Sequence, residues 1–179
     1  MLDELLIRRN SFIMKSVDQE ISMLMIRSCW HDPPAAVMFD VLRSAERRNA
    51  GLGCAGALYW DAHSYIQLLE GPRDGLGALG AAILSDRRHT PLCWAYRPAP
   101  GRRLSPDLPL GVIDATEAAA MGLGREIRQA SEAPADDRLL AAAAELVLEL
   151  ACRKYPAMAL GAPCGRSAPS PAPSPARVA

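Results

Sequence analysis

A short apolar run, ISMLMIR at 21–27, precedes Ser28 and the breaker His31-Asp32-Pro33-Pro34. A run of that length suits a buried strand, and the prolines suit the first turn of a helix. From Ala35 to Arg48 the apolar residues Val37, Met38, Val41, Leu42 and Ala45 recur at helical spacing, while Arg43, Glu46, Arg47 and Arg48 lie mostly off that face. This pattern predicts an amphipathic helix, ended by Gly51 and Gly53. Ala55–Tyr59 and Ser64–Leu69 read as two strands joined at Asp61-Ala62-His63, a connection short enough for an antiparallel hairpin. Gly71-Pro72-Arg73-Asp74 leads into a second helix through Leu76, Leu79, Ala82 and Ile83. The glycines at 75, 77 and 80 weaken it, each costing about 1 kcal/mol relative to Ala. A polar loop at 86–89, a strand at Leu92–Tyr96, a Pro/Gly/Arg connection at 98–107 and an apolar run at Leu110–Ile113 follow.

The order is β-α-β-β-α-β-β. Each helix has one apolar stripe, so the economical solution is an α+β, ferredoxin-like sheet with both helices on one face. Beyond Asp114 the chain becomes Ala-rich, and 115–129 and 134–154 read as helices. Leu139, Leu140, Ala143, Leu146, Val147 and Leu150 form a stripe on the second, suited to the free face of the sheet or to another subunit. The pattern divides the chain into an N-terminal extension (1–20, with Leu2, Leu5, Leu6, Ile13 and Met14 able to line one side of a helix), a core domain (21–113), a C-terminal helical cap (114–155) and a tail (161–179). The tail repeats APSPAPSPA, a composition that builds no core and predicts disordered or extended chain.

Composition narrows the function. Of 179 residues half are apolar, and 20 basic side chains balance 20 acidic ones. That balance argues against binding nucleic acid through phosphate neutralisation. No apolar run approaches the length of a transmembrane helix. The start of the chain has early acids and no long apolar region, so no export signal is expected and the assignment is cytoplasmic. Five cysteines without a C-x-x-C pair fit neither a disulfide framework nor a zinc site. The three histidines have no metal-ligand spacing, and the glycine clusters do not follow a strand and open a helix as a dinucleotide loop does. No nucleophile elbow surrounds a Ser, Thr or Cys. These absences place a hydrolase or transferase reading below the alternatives, and no enzymatic activity is expected.

Four segments are more distinctive: Arg47-Arg48-Asn49-Ala50, Gly56-Ala57-Leu58-Tyr59, Tyr65-Ile66-Gln67-Leu68-Leu69-Glu70-Gly71-Pro72-Arg73, and Asp86-Arg87-Arg88-His89. In combination they resemble the BLUF family, bacterial blue-light sensors that hold FAD, over roughly residues 21–113. The resemblance implies an isoalloxazine ring between the two helices. Asn49 would bond its polar edge, Gln67 would face N5 and O4, Asp86, Arg88 and His89 would lie near the rim or ribityl chain, and Val41 would supply an apolar wall. An amide suits the Gln67 role because it has two donors and an acceptor that rotation exchanges. Each residue also has a plainer reading: Gln67 as an ordinary polar strand residue, Asn49 as a left-handed helix cap, Arg87 and Arg88 as a solvated pair, His89 as a structural histidine.

The departures from the family concern aromatic positions above all. Its Tyr-x-Ser pattern on the first strand aligns with Ile26-Arg27-Ser28, which puts Ile26, or its neighbour Met25, where the photoactive Tyr belongs. Neither has a phenolic proton, so the usual photocycle is expected to be absent or altered. The semi-conserved Trp and Met near the last strand are replaced by Leu108 and Leu110. Trp30, Tyr59, Trp60 and Tyr65 are nearby in sequence but do not match the donor position. The resemblance therefore implies an FAD-binding sensor acting on a regulatory partner, or on a second copy, through its C-terminal helices. A flavin-free interaction module on the same scaffold is the alternative. A redox sensor using the flavin, Cys29 or Cys54 is a further one.

Overall fold

The computed structural model describes residues 20–99, 101–132 and 136–160. The 161–179 tail and all but Glu20 of the 1–20 extension lie outside them. The elements are β1 (Ile21–Trp30), α1 (Pro34–Gly51), β2 (Ala55–Trp60), β3 (Ser64–Pro72), α2 (Arg73–Leu84), β4 (His89–Pro98), β5 (Gly111–Asp114), α3 (Ala115–Ala120), α4 (Gly124–Glu132), α5 (Asp137–Lys154) and a 3-10 turn at Pro156–Met158. One sheet has the order β4-β1-β3-β2-β5. All its pairings are antiparallel except that of β2 with β5. This is the α+β ferredoxin-like arrangement, extended by a parallel edge strand.

The strands outrun the apolar runs that predict them. β1 continues through Ser28 and Cys29 to Trp30 because it is central, with β3 on one side and β4 on the other. Two ladders of backbone hydrogen bonds override the weak strand preference of its last residues. The same pairing draws β4 back to begin at His89, opposite Trp30, three residues before Leu92. Asp61 closes the β2–β3 turn by accepting from the backbone N–H groups of His63 (2.9 Å) and Ser64 (2.8 Å).

Side chains alternate across the sheet and build two cores. Leu24, Ile26, Leu58, Tyr65 and Leu69 face α1 and α2, meeting Met38, Leu76 and Leu79. Met25, Ala57, Tyr59, Ile66 and Leu68 face the other way, under Leu140, Ala144, Val147, Leu148 and Ala151 of α5. Of the two placements the sequence left open for the C-terminal helices, the free face of the sheet is thus occupied by α5. The single helix read at 115–129 is broken into α3 and α4 at Gly122, whose φ of +80° no helix accommodates. On α2, glycine is required by close approach: a Cβ at Gly75 would lie 2.6 Å from the Leu52 carbonyl oxygen. A Cβ at Gly80 would lie 2.9 Å from the Leu24 side chain, whereas one at Gly77 would meet open space, so two of the three glycines let the helix reach its neighbours.

Candidate functional site

A cleft opens between α1 and α2 above the sheet, enclosing about 580 Å³ including the part open to solvent. Its apolar walls are Val41 and Ala45 of α1, Leu58 of β2, Leu79 and Ile83 of α2, and Leu110 just before β5. Its polar groups include Asn49, Gln67, Asp86, Arg88 and His89, with Ser44 and Arg48 of α1, the phenol of Tyr65 and the indole of Trp30. All six residues singled out in the sequence as cofactor contacts therefore border a single cleft.

Asn49 is buried at the inner end of α1, and its Nδ2 donates to the Pro109 carbonyl at 2.8 Å. It is not a left-handed cap. The helix runs on to Gly51, and the positive φ falls at Gly53 (65°). The asparagine side chain instead holds the 101–110 connection against α1. Gln67, on β3, lies opposite Ile26 on β1 and Leu58 on β2. It is buried and borders the cleft, and its amide makes no side-chain hydrogen bond to any described residue. The amide atoms are reached from the open cleft, where a ligand or water can satisfy them.

Asp86 and Arg88 form an ion pair at the rim, with Arg88 Nε donating to both carboxylate oxygens at 2.9 and 3.0 Å. Those hydrogen bonds hold the Asp86 carboxyl below its ordinary range. The two arginines are thus not a solvated pair: Arg87 is exposed, whereas Arg88 turns to Asp86 and the cleft. His89 is buried as the first residue of β4, with Nε2 at 3.0 Å from the Tyr65 hydroxyl. Burial pushes its pKa down, while the Asp86 carboxylate pulls the other way. Burial raises the pKa of the Tyr65 phenol, so it keeps its proton.

Register distinguishes Ile26 from Met25. Ile26 pairs with Gln67 and faces the helices of the cleft, whereas Met25 belongs to the opposite core. Ile26 is fully buried. Tyr65 and Trp30 do not occupy the Ile26 position, yet the fold brings both to the cleft, with ring centroids 4.6 Å apart. Tyr65 was within reach of sequence reasoning, because it precedes Gln67 by two residues on a strand and so shares its face. Trp30 required knowing how far β1 extends. Cys54 is buried and its thiol is pushed up by burial, and neither it nor Cys29 borders the cleft. The geometry therefore gives a redox thiol no role at this site.

Glu70 was quoted in the β3 motif without a role. It is fully buried and faces away from the cleft. Its carboxylate accepts from the backbone N–H groups of Arg103 (2.8 Å) and Leu104 (3.1 Å) and from Arg103 Nε (2.5 Å). Arg103 Nη1 then donates to Glu145 of α5 at 2.7 and 2.9 Å.

A flat, largely apolar ring with one polar edge matches this cleft. It offers apolar side chains on two helices, an amide on the floor with no protein hydrogen bond, open to the cleft, and a charged rim. No helix among the described residues is long and apolar enough to cross a membrane.

Comparison with known proteins agrees with this reading. Residues 22–105 match the BLUF family, described as sensors of blue-light using FAD. The chain is similar to photoactivated adenylate cyclase subunit beta of Euglena longa, 42% identical over 50 residues, which are 28% of this chain and 6% of that protein. It thus spans only a small part of that relative. Among solved structures it resembles the dark state of BlrB, a BLUF protein, at 29% identity and TM-score 0.52, covering 60% of this chain and 84% of that one. It also resembles the BLUF domain of BlrP1 at 25% identity and TM-score 0.53, covering 73% and 91%. The fold, the matched segment and these relatives agree: residues 22–105 carry a BLUF domain, the domain of sensors of blue-light using FAD.

Proposed function

We propose that the cleft between α1 and α2 receives the isoalloxazine ring of FAD, and that the chain reports the state of this flavin to a protein partner, or to a second copy, as a regulator rather than as an enzyme. The observation that carries this reading is the convergence of Val41, Asn49, Gln67, Asp86, Arg88 and His89 on one cleft. Bound flavin would supply blue-light absorption and one-electron redox chemistry. Gln67 would direct its amide to the ring's polar edge, donating or accepting according to its rotamer. Asn49, steadied by Pro109, would bond the same edge. The Asp86–Arg88 pair would hold the rim, and the apolar walls would keep water out.

Ile26 can neither donate nor accept a proton beside Gln67, so the relay that a tyrosine there would provide is missing. The output path runs through the reverse of β3, where Glu70 and Arg103 connect the strand to Glu145 on α5. The helices beyond residue 114 are the surface offered to a partner.

The test is purification with FAD and measurement of bound flavin, followed by light-minus-dark spectra. Co-eluting flavin with only a weak red shift is the expected result, and Ile26→Tyr should strengthen that shift. A protein that takes up no FAD at saturating concentration would instead be the flavin-free interaction module. A full red shift in the unaltered chain would show that Ile26 does not occupy the donor position.

A further inference from the structure

The cleft retains a phenol that the missing tyrosine does not account for. Tyr65 lies on β3 two residues before Gln67, on the same face, and both border the cleft. It is buried, and its hydroxyl is 3.0 Å from Nε2 of His89. The two rings meet edge to face, with centroids 5.1 Å apart and planes at 84°. On the other side of the phenol stands Trp30, whose Nε1 donates to the Ser64 carbonyl at 3.1 Å and so fixes the indole in place.

A phenol hydrogen-bonded to an imidazole is the arrangement that proton-coupled oxidation requires. Removing an electron from a phenol makes its hydroxyl strongly acidic, and a neutral imidazole within hydrogen-bonding distance can take that proton. Burial keeps His89 neutral near pH 7 and keeps Tyr65 protonated, so each partner starts in the required form. With the imidazole proton on Nδ1, Tyr65 donates to Nε2.

We infer that Tyr65, with His89 as its proton acceptor, is the electron donor to a flavin bound in this cleft, in place of the phenol absent at Ile26. The inference rests on the flavin-binding reading above. Light-excited flavin, when bound, would supply the oxidising equivalent. Tyr65 would give up one electron to it as the Oη–H bond breaks and an N–H bond forms at His89 Nε2. That would leave a neutral tyrosyl radical at Tyr65 and an imidazolium at His89, with the electron on the bound oxidant. Return of the electron and the proton restores the starting state. The donor thus sits on β3, two cross-strand pairs from the Ile26–Gln67 pair, and its proton moves toward β4, away from Gln67.

The experiment measures the fluorescence lifetime of bound FAD, which reports per bound molecule and is independent of occupancy. In the unaltered chain the lifetime should be strongly shortened, and Tyr65→Phe should lengthen it at least about fivefold, the two-state equivalent of roughly 1 kcal/mol in barrier. His89→Gln should remove the solvent deuterium isotope effect on the quenching rate, which a purely structural role would leave in place. Freeze-trapped illuminated samples give a measurement that needs no variant: their radical signal should narrow when ring-deuterated tyrosine is incorporated. An unchanged lifetime in Tyr65→Phe with FAD bound, or loss of quenching in Trp30→Phe alone, would overturn the inference while leaving flavin binding intact. Failure of the unaltered chain to bind FAD would overturn both readings.

Discussion

The two faces of the sheet do opposite work with the same strands. On the cleft side, β3 presents Tyr65 and Gln67 among apolar walls that leave an opening. On the reverse side it presents Ile66 and Leu68 to α5, and the packing closes over them. Each face buries polar atoms, but in different ways. Glu70, on the reverse, is fully partnered inside the protein, whereas Gln67 has no side-chain partner there. A satisfied buried group stabilises one arrangement, and an unsatisfied one leaves a role for a ligand. Stability should therefore reside mainly on the reverse face and binding on the cleft face.

The largest effect should come from breaking the reverse face. Glu70→Ala leaves the Arg103 guanidinium and two backbone N–H groups without their carboxylate, and should cost about 3–5 kcal/mol in urea unfolding. A loss below about 1 kcal/mol would mean that the buried pair does not hold the reverse side together. Next, Leu148→Ala, at a fully buried position on α5, should cost about 2–5 kcal/mol by creating a cavity. If the faces are separable, its affinity for FAD stays within a factor of about two at temperatures where the variant is folded.

Gln67→Ala should invert that result. Stability changes by less than about 1 kcal/mol because no protein hydrogen bond is lost, while FAD affinity falls roughly tenfold. Equal losses in binding from Gln67→Ala and Leu148→Ala would erase the distinction between the faces.

His89 sharpens the comparison through pH. Its folded pKa lies below the unfolded value of about 6.5, so the unfolded chain binds more protons as the solution is acidified. The contribution of His89 is fully present above about pH 6.5 and is lost as pH falls through the window below it. Denaturation midpoints measured across that window should slope downward toward acid, and His89→Gln should flatten the slope. The smallest effect belongs to a residue on neither face. Phe39 is 66% exposed on α1, and Phe39→Ser should change stability by less than about 0.5 kcal/mol in the same assay.

The strand and helix order was legible because short apolar runs marked the strands, a 3.6-residue stripe marked α1, and glycine, proline and Asp61 punctuated the turns between them. Where elements ended was less legible. Pairing on both sides carried β1 to Trp30, and a cross-strand partner started β4 at His89. Those are tertiary effects with no local signal. The six residues expected to contact a cofactor came from a motif whose members are far apart in sequence and converge only in the fold. In the sequence Tyr65 reads as an aromatic that misses the donor position, although strand alternation from Gln67 already puts the phenol on the same surface. The break at Gly122 was visible as a glycine and gave no sign of its positive φ. The Glu70 network was not legible, since its partners lie 33 to 42 residues apart in pairs.

The connection before β5 is fastened at both ends to different parts of the molecule. Near its start, Arg103 and Leu104 are bound by Glu70 from behind the sheet, and Arg103 also grips α5. Near its end, the Pro109 carbonyl is bound by Asn49 at the inner end of α1. The segment works as a short tendon between the helix that walls the cleft and the helix that backs the sheet. A displacement of α1 by a ligand would pull on Pro109, and the pull would arrive at α5 without any strand having to slide.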